Sequence, residues 1–165
     1  MEKKSKLFKV NFMKNLFNLS NKNIIITGAA GFLGKQYVEA IINSDGNPIC
    51  LDIDLSKLII LKKYIQKKYK KRLEIYKIDI SSENDVIKTK KKILKKFKKI
   101  DVLINNAALN PTMKKIKKNV NFLENYQITS WNKEIKIGLT GSFLMSKIFG
   151  SEMSKNKEGG NIINI

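Results

Sequence analysis

The sequence predicts a doubly wound α/β fold on a parallel sheet, and three observations carry that prediction. Apolar runs of strand length alternate with helical stretches of about 10–15 residues. The first of these runs passes directly into a glycine-rich turn that opens a helix. The 165 residues suit one domain, long enough to bury about two-thirds of its unfolded surface without a disulfide or a metal.

Each element has its own signal. Asn23–Thr27 (NIIIT) is an apolar run ending in the turn, and Leu33–Asn43 has helical spacing. Ile49–Asp52 (ICLD) is expected as the second strand, and Ser56–Tyr69 as a helix with Leu58, Leu61 and Ile65 on one stripe. Leu73–Lys77 is the third strand and leads to Asp79. Ser82 then reads as an N-cap, with Glu83 and Asp85 in a first turn where carboxylates complement the helix dipole. The helix so opened is expected to bury Val86, Ile93 and Phe97. Val102–Asn105 and Asn161–Ile165 are the fourth and fifth strands. Such alternation gives right-handed crossovers and a parallel sheet covered on both faces.

Between the last two strands come an irregular stretch, Ala108–Asn125, and a long helix from about Ser130 to Asn156. Its apolar side is expected to carry Trp131, Ile135, Leu139, Phe143 and Phe149. Gly138, Ser142, Ser146 and Gly150 form a row of small residues that lets this helix approach the sheet or a second subunit closely. Residues 1–22, basic and mildly amphipathic, are read as a lead-in that folds back on a domain spanning residues 23–165. A helix lying on a membrane surface is the alternative for that lead-in.

Charge narrows the function classes. The 33 basic residues against 14 acidic ones give a net charge of +19, and all but one of the basic residues, Arg72, are Lys. Arg is the side chain that reads guanine and clamps phosphate with paired bonds, so its scarcity disfavours a dedicated nucleic-acid reader. The Lys gather at Lys62–Lys71, Lys88–Lys99 and Lys114–Lys118, among apolar residues spaced as on outer helices, which is the pattern of a solvated face. Joint over-use of Ile, Asn and Lys is also what an AT-rich coding sequence produces. With one cysteine, Cys50, and no His, neither an internal disulfide nor a His/Cys metal site is expected. No apolar run approaches the roughly 18 residues of a membrane span. Leu7, Phe8, Phe12 and Met13 are broken by Lys9, Asn11 and Lys14 before they make a signal-peptide core. A reducing cytoplasm is the expected location.

The informative segment is Thr27–Gly34, TGAAGFLG. Gly28, Gly31 and Gly34 can supply a tight turn, a backbone open to a pyrophosphate, and close helix-on-strand packing; the helix start then offers free N–H groups to phosphate. A phosphate-binding P-loop is excluded, since Gly34-Lys35 is followed by Gln36 rather than Ser or Thr. Asp52, at the end of the second strand, is placed to accept hydrogen bonds from both ribose hydroxyls. A carboxylate there repels a 2′-phosphate and no Arg stands beside it, so NAD is favoured over NADP.

These segments lie in order with KIDI at Lys77–Ile80, DVLINNAA at Asp101–Ala108, WNKEIKIGLTGSFLMSK, and GGNIINI. From about Leu16 to Ile165 the chain resembles the N-terminal two-thirds of a short-chain dehydrogenase/reductase, a Rossmann-type fold here truncated after about strand five. The resemblance implies that Gly28, Gly31, Phe32 and Gly34 line the pyrophosphate and that Asp52 with Ile53 holds the adenosine ribose. It places Asp79 and Ile80 beside the adenine, and Asn105 and Ala107 beneath the nicotinamide ribose. It further implies hydride transfer with a small alcohol or carbonyl substrate, sugar derivatives among the candidates, and a homo-oligomer for the full-length protein.

Departures from the family pattern are visible too. The GxxGxxG spacing is that of the extended branch, whereas NNAA and GNIINI resemble the compact one. Gly138 stands where many compact members carry an Asn of the proton relay. The IGLTGSF and INNAALNP runs resemble a bacterial subgroup associated with surface-carbohydrate or flagellin-glycan biosynthesis. The family's catalytic Ser and Tyr-x-x-x-Lys are expected beyond Ile165, so no catalytic residue is assigned in this chain. Tyr64 and Lys68 have that spacing but fall on the helix after strand two. A non-catalytic dinucleotide-binding protein and a basic nucleic-acid or membrane-surface binder remain as the other classes.

Overall fold

Apolar residues in strictly alternating directions build the sheet. The computed structural model describes residues 17–109 and 123–165. Its strands are β1 (Asn23–Thr27), β2 (Asn47–Asp52), β3 (Glu74–Lys77), β4 (Val102–Asn105) and β5 (Asn161–Asn164), all parallel, in the order β3-β2-β1-β4-β5. On β1, Ile24 and Ile26 face one layer and Ile25 the other; on β2, Cys50 faces the first layer while Ile49 and Leu51 face the second. Both faces are buried, as expected where helices cover a parallel sheet.

The first layer is closed by α1 (Phe32–Asn43) and α2 (Leu55–Tyr69), which contribute Val38, Ile41, Leu58, Leu61 and Ile65. The second is closed by α3 (Glu83–Lys96), which buries Val86, Thr89 and Ile93, with Phe97 half-buried as its C-cap. The expected Ser82 cap is present, its hydroxyl accepting from the Asp85 amide at 3.4 Å. Asp54 caps α2 by accepting from the Lys57 amide at 3.0 Å.

The long helix departs from expectation. It runs as α4 (Ile128–Glu134), a π-helical segment (Ile135–Gly141) and α5 (Ser142–Met153). Hydrogen bonds from i to i+5 widen each π turn, so a face traced every four residues through an unbroken α-helix does not stay on one side. Trp131, Leu139 and Phe143, expected to be buried, are exposed, while Leu144, Met145, Ile148, Phe149 and Met153 form the buried face. The small-residue row divides at the same place. A Cβ on Gly138 would meet nothing within 4 Å, whereas one on Gly150 would lie 3.2 Å from the Ile162 side chain of β5.

At the end where the strands begin, burial pushes the Asp101 carboxyl up, but the Asn23 amide at 2.8 Å and the Lys99 ammonium at 2.9 Å together hold it below the usual carboxylate range. The Asp101 carbonyl also accepts from Asn161, tying β5 to β4. Of the expected lead-in, residues 1–16 lie outside the described residues. Leu19 donates to the Ser44 carbonyl at 2.7 Å and so fastens the start of the described chain to the end of α1. Residues 110–122, and with them the Lys114–Lys118 cluster, lie outside the described residues as well.

Candidate dinucleotide site

Sheet order reverses between β1 and β4, and the strand ends there open the crevice in which α/β folds bind nucleotides. The sequence-predicted site residues lie at or just past the C-terminal ends of β1, β2, β3 and β4, with Phe32 and Gly34 in the first turn of α1. Gly28 has φ +63°, and a Cβ on it would stand 2.9 Å from the Ala107 α-carbon, so the residue is required by conformation and by space together. A Cβ on Gly34 would overlap the Gly28 carbonyl oxygen and lie 2.7 Å from the Ala29 α-carbon. Gly31 is the N-cap of α1, with no side chain bonded to the helix start and no acid in the first turn. The first amides of α1 and the positive end of its dipole therefore have no side-chain cap, and Phe32, its first residue, is 86% exposed.

Asp52 is half-buried at the end of β2. One carboxylate oxygen accepts from the Ala30 amide in the glycine turn and the other from the Asp54 amide, both at 3.0 Å. This carboxylate is aimed by two fixed backbone donors, and each oxygen retains a lone pair for a hydroxyl. Ile53 beside it is exposed. The fit to a dinucleotide is thus carried by the glycine cradle, the uncapped helix start and the oriented carboxylate.

The remaining predicted residues bear on the site in different ways. Asp79 accepts from both the amide and hydroxyl of Ser81, at 2.9 and 2.7 Å, while its own amide donates to Asp85 at 2.8 Å. Ile80 is buried, its side chain 2.7 Å from where a Cβ on Gly141 would stand. Asn105 is buried and donates to Asn164 at 2.8 Å and to Ser146 at 3.0 Å, joining β4, β5 and α5 beneath the crevice. Its Oδ1 has no partner among the described residues.

Two side chains not assigned a role from sequence hold the crevice together. Thr27 Oγ1 accepts from the amides of Asn106 and Ala107, both at 3.0 Å, and Asn106 Nδ2 donates to the carbonyls of Thr27 at 3.0 Å and Gly28 at 3.2 Å. The glycine turn and the loop after β4 are one laced unit. The sequence signal was a hydroxyl at a strand end facing an Asn one strand away, legible only once β1 and β4 are known to be neighbours. Tyr64 and Lys68 do bond each other, at 3.0 Å, but their partner is Glu39 of α1, to which Lys68 donates at 2.6 Å and Tyr69 at 2.7 Å. They fasten α1 to α2 in the C-terminal half of α2, away from the strand ends that form the crevice.

No helix among the described residues is long and apolar enough to cross a membrane, and none of their acidic or Cys side chains gather as a metal site. Comparison with known proteins agrees with this geometry. A family model described as short chain dehydrogenase matches residues 22–165. Among curated relatives, an NAD-dependent glycerol dehydrogenase of Listeria innocua is 30% identical over 149 residues, 90% of this chain and 54% of that protein. A post-translational flagellin modification protein A of Campylobacter coli is 30% identical over 147 residues, 89% of this chain and 56% of that protein. The chain spans about half the length of the curated relatives it matches. In fold it is similar to an NAD+-bound xylitol dehydrogenase, with a TM-score of 0.76 at 24% identity over 88% of this chain and 53% of that one. A short-chain dehydrogenase/reductase of Mycobacterium marinum gives a TM-score of 0.78 at 19% identity, over 91% of this chain and 57% of that one. The family match over residues 22–165, together with the likeness in fold, places the chain in the short-chain dehydrogenase family.

Proposed function

We propose that this chain is the dinucleotide-binding part of an NAD-dependent oxidoreductase acting between an alcohol and a carbonyl. The observation that carries the reading is Asp52, whose carboxylate is set at the end of β2 by the Ala30 and Asp54 amides. From there it would accept from the adenosine ribose hydroxyls and repel a 2′-phosphate. Gly28, Gly31, Phe32 and Gly34 would receive the pyrophosphate, Asp52 and Ile53 the ribose, the Asp79–Ile80 segment the adenine, and Asn105 and Ala107 the nicotinamide side. When bound, the nicotinamide supplies or accepts a hydride; the chain's own residues bind it, orient it and exclude water beneath it. Proton transfer to the carbonyl is assigned to the family's Ser and Tyr-x-x-x-Lys, none of which is matched in these 165 residues.

The substrate class is a small alcohol or carbonyl compound. Sugar or polyol derivatives are the favoured candidates, in keeping with the glycerol dehydrogenase and flagellin-modification relatives. The location proposed is the cytoplasm. For the full-length protein a homo-oligomer is supported by the exposed apolar side chains of Ile128, Trp131, Leu139 and Phe143 along one long helix. A non-catalytic dinucleotide-binding role is the second reading, favoured by the separation of the Tyr64–Lys68 pair from the crevice.

Fluorescence titration tests the cofactor. NADH should bind more tightly than NADPH, and Asp52→Ala should narrow the difference. Equal affinities in the unmutated chain remove Asp52 from the site and the NAD assignment with it.

A further inference from the structure

At the opposite end of the sheet, where the strands begin, the described residues line a partly open cavity of about 180 Å³. Pro48 on β2, Leu73 just before β3 and Phe97 at the end of α3 supply apolar walls, and Lys71, Arg72 and Lys96 supply cations. The cavity is open to solvent on one side. It is too small for a nucleotide and large enough for a single ring or a short aliphatic body.

The cations are not equivalent. Lys71 pairs with Asp45 at 3.6 Å, and Lys96 with Glu74 at 2.5 Å. Arg72, the only Arg of the chain, is exposed and makes no ion pair or hydrogen bond among the described residues. Helices α1, α2 and α3 all end here, each with a partial negative charge of about half a unit. Lys67 and Lys95 in the last turns of α2 and α3, with Lys70 just past α2, offset that charge. Arg72 is left as a surplus cation in the lining of a cavity with both apolar and polar walls, and the two parallel N–H groups of its guanidinium match a carboxylate or a phosphate. Along β2, Asp52 lies four residues beyond Pro48, about 13 Å away at about 3.3 Å per residue, so the cavity is separate from the crevice.

We infer that this cavity binds a small organic anion, a carboxylate or phosphate on an apolar body, with Arg72 gripping the anion and the half-buried Pro48 and Phe97 packing against the rest. The test is a backbone-amide NMR titration of the chain at fixed ionic strength. The probes are benzoate, phenyl phosphate, inorganic phosphate and, as a neutral control, benzyl alcohol. Saturating shifts at Gly46, Leu73 and Phe97 are expected with benzoate or phenyl phosphate, whichever saturates first naming the headgroup. Inorganic phosphate and benzyl alcohol should be weaker, each lacking one half of the interaction. Arg72→Gln, at an exposed and unpaired position that folding does not need, should weaken binding at least about tenfold, the loss of a charge-assisted bond. Shifts spread evenly over the Lys-rich helices, an inorganic phosphate response equal to that of phenyl phosphate, or unchanged binding in Arg72→Gln would each overturn the assignment.

Discussion

Gly34 and Gly138 both sit inside the helical parts of the fold, yet replacing each with Ala should move stability in opposite directions. In a helix the change alone is favourable by about 1 kcal/mol. At Gly138 nothing lies within 4 Å of the new Cβ, so that gain, reduced by the wider π turn, is the whole effect. At Gly34 the Cβ would overlap the Gly28 carbonyl and press on the Ala29 backbone, with Ala29 Cα at 2.7 Å and its carbonyl carbon at 2.9 Å. These neighbours are main-chain atoms of a turn laced to Asn106, so they yield less readily than a flexible side chain. Overpacking of this kind costs about 1–3 kcal/mol, which leaves Gly34→Ala destabilised by up to about 2 kcal/mol after the helix gain. With a urea slope of about 2 kcal/mol/M the unfolding midpoint should fall by up to about 1 M in Gly34→Ala and rise by up to about 0.5 M in Gly138→Ala. Urea unfolding followed by circular dichroism reads both. If Gly34→Ala is as stabilising as Gly138→Ala, the helix does not pack on the turn as described and the close-approach argument fails.

Two further outcomes are expected. The Lys68 ammonium, then the Tyr69 hydroxyl, lower the Glu39 carboxyl to about 2 from an ordinary 4.5. Because the folded value is depressed, the stabilisation is complete above pH 4.5 and is lost as pH falls from there toward 2. Glu39→Gln should therefore be less stable than the unmutated chain near neutrality and converge with it across that window, whereas parallel curves of urea midpoint against pH would remove the clamp. Binding to DNA or RNA should be weak, indifferent to sequence and steeply lost as salt rises toward about 0.15 M, as measured by filter binding or anisotropy; tight, sequence-selective binding at that salt would make the Lys-rich helices an interface rather than a solvated face.

Much of the fold was legible because its signals are local. NIIIT and VLIN each carry three consecutive apolar residues, the pattern that two-sided burial in a parallel sheet requires, and Ser82 with Glu83 and Asp85 marks a helix start by short-range hydrogen bonding alone. The long helix was misread because periodicity counts assume a constant turn. Widening the turn over Ile135–Gly141 left Leu139 and Phe143 outside and turned Leu144 and Met145 inside. At the crevice, the glycines and Asp52 could be named from spacing. What could not be read was the partner of each: that Asp52 is held by Ala30, that Thr27 and Asn106 join two loops 79 residues apart, and that Asn105 is buried and joins β4 to β5. Those contacts depend on which strands are neighbours, and a single sequence states that only through the fold.

The central claim is that the crevice at the ends of β1, β2 and β4 takes NAD. Amide chemical-shift mapping with NAD+ measures it most directly. The account predicts saturating shifts that cluster at Gly28, Gly31, Phe32 and Gly34, at Asp52 and Ile53, at Asp79, and at Ala107, with Gly46, Leu73 and Phe97 at the other end of the sheet unmoved. Shifts centred on those last three residues, scattered over the Lys-rich helices, or missing from the glycine turn would contradict it.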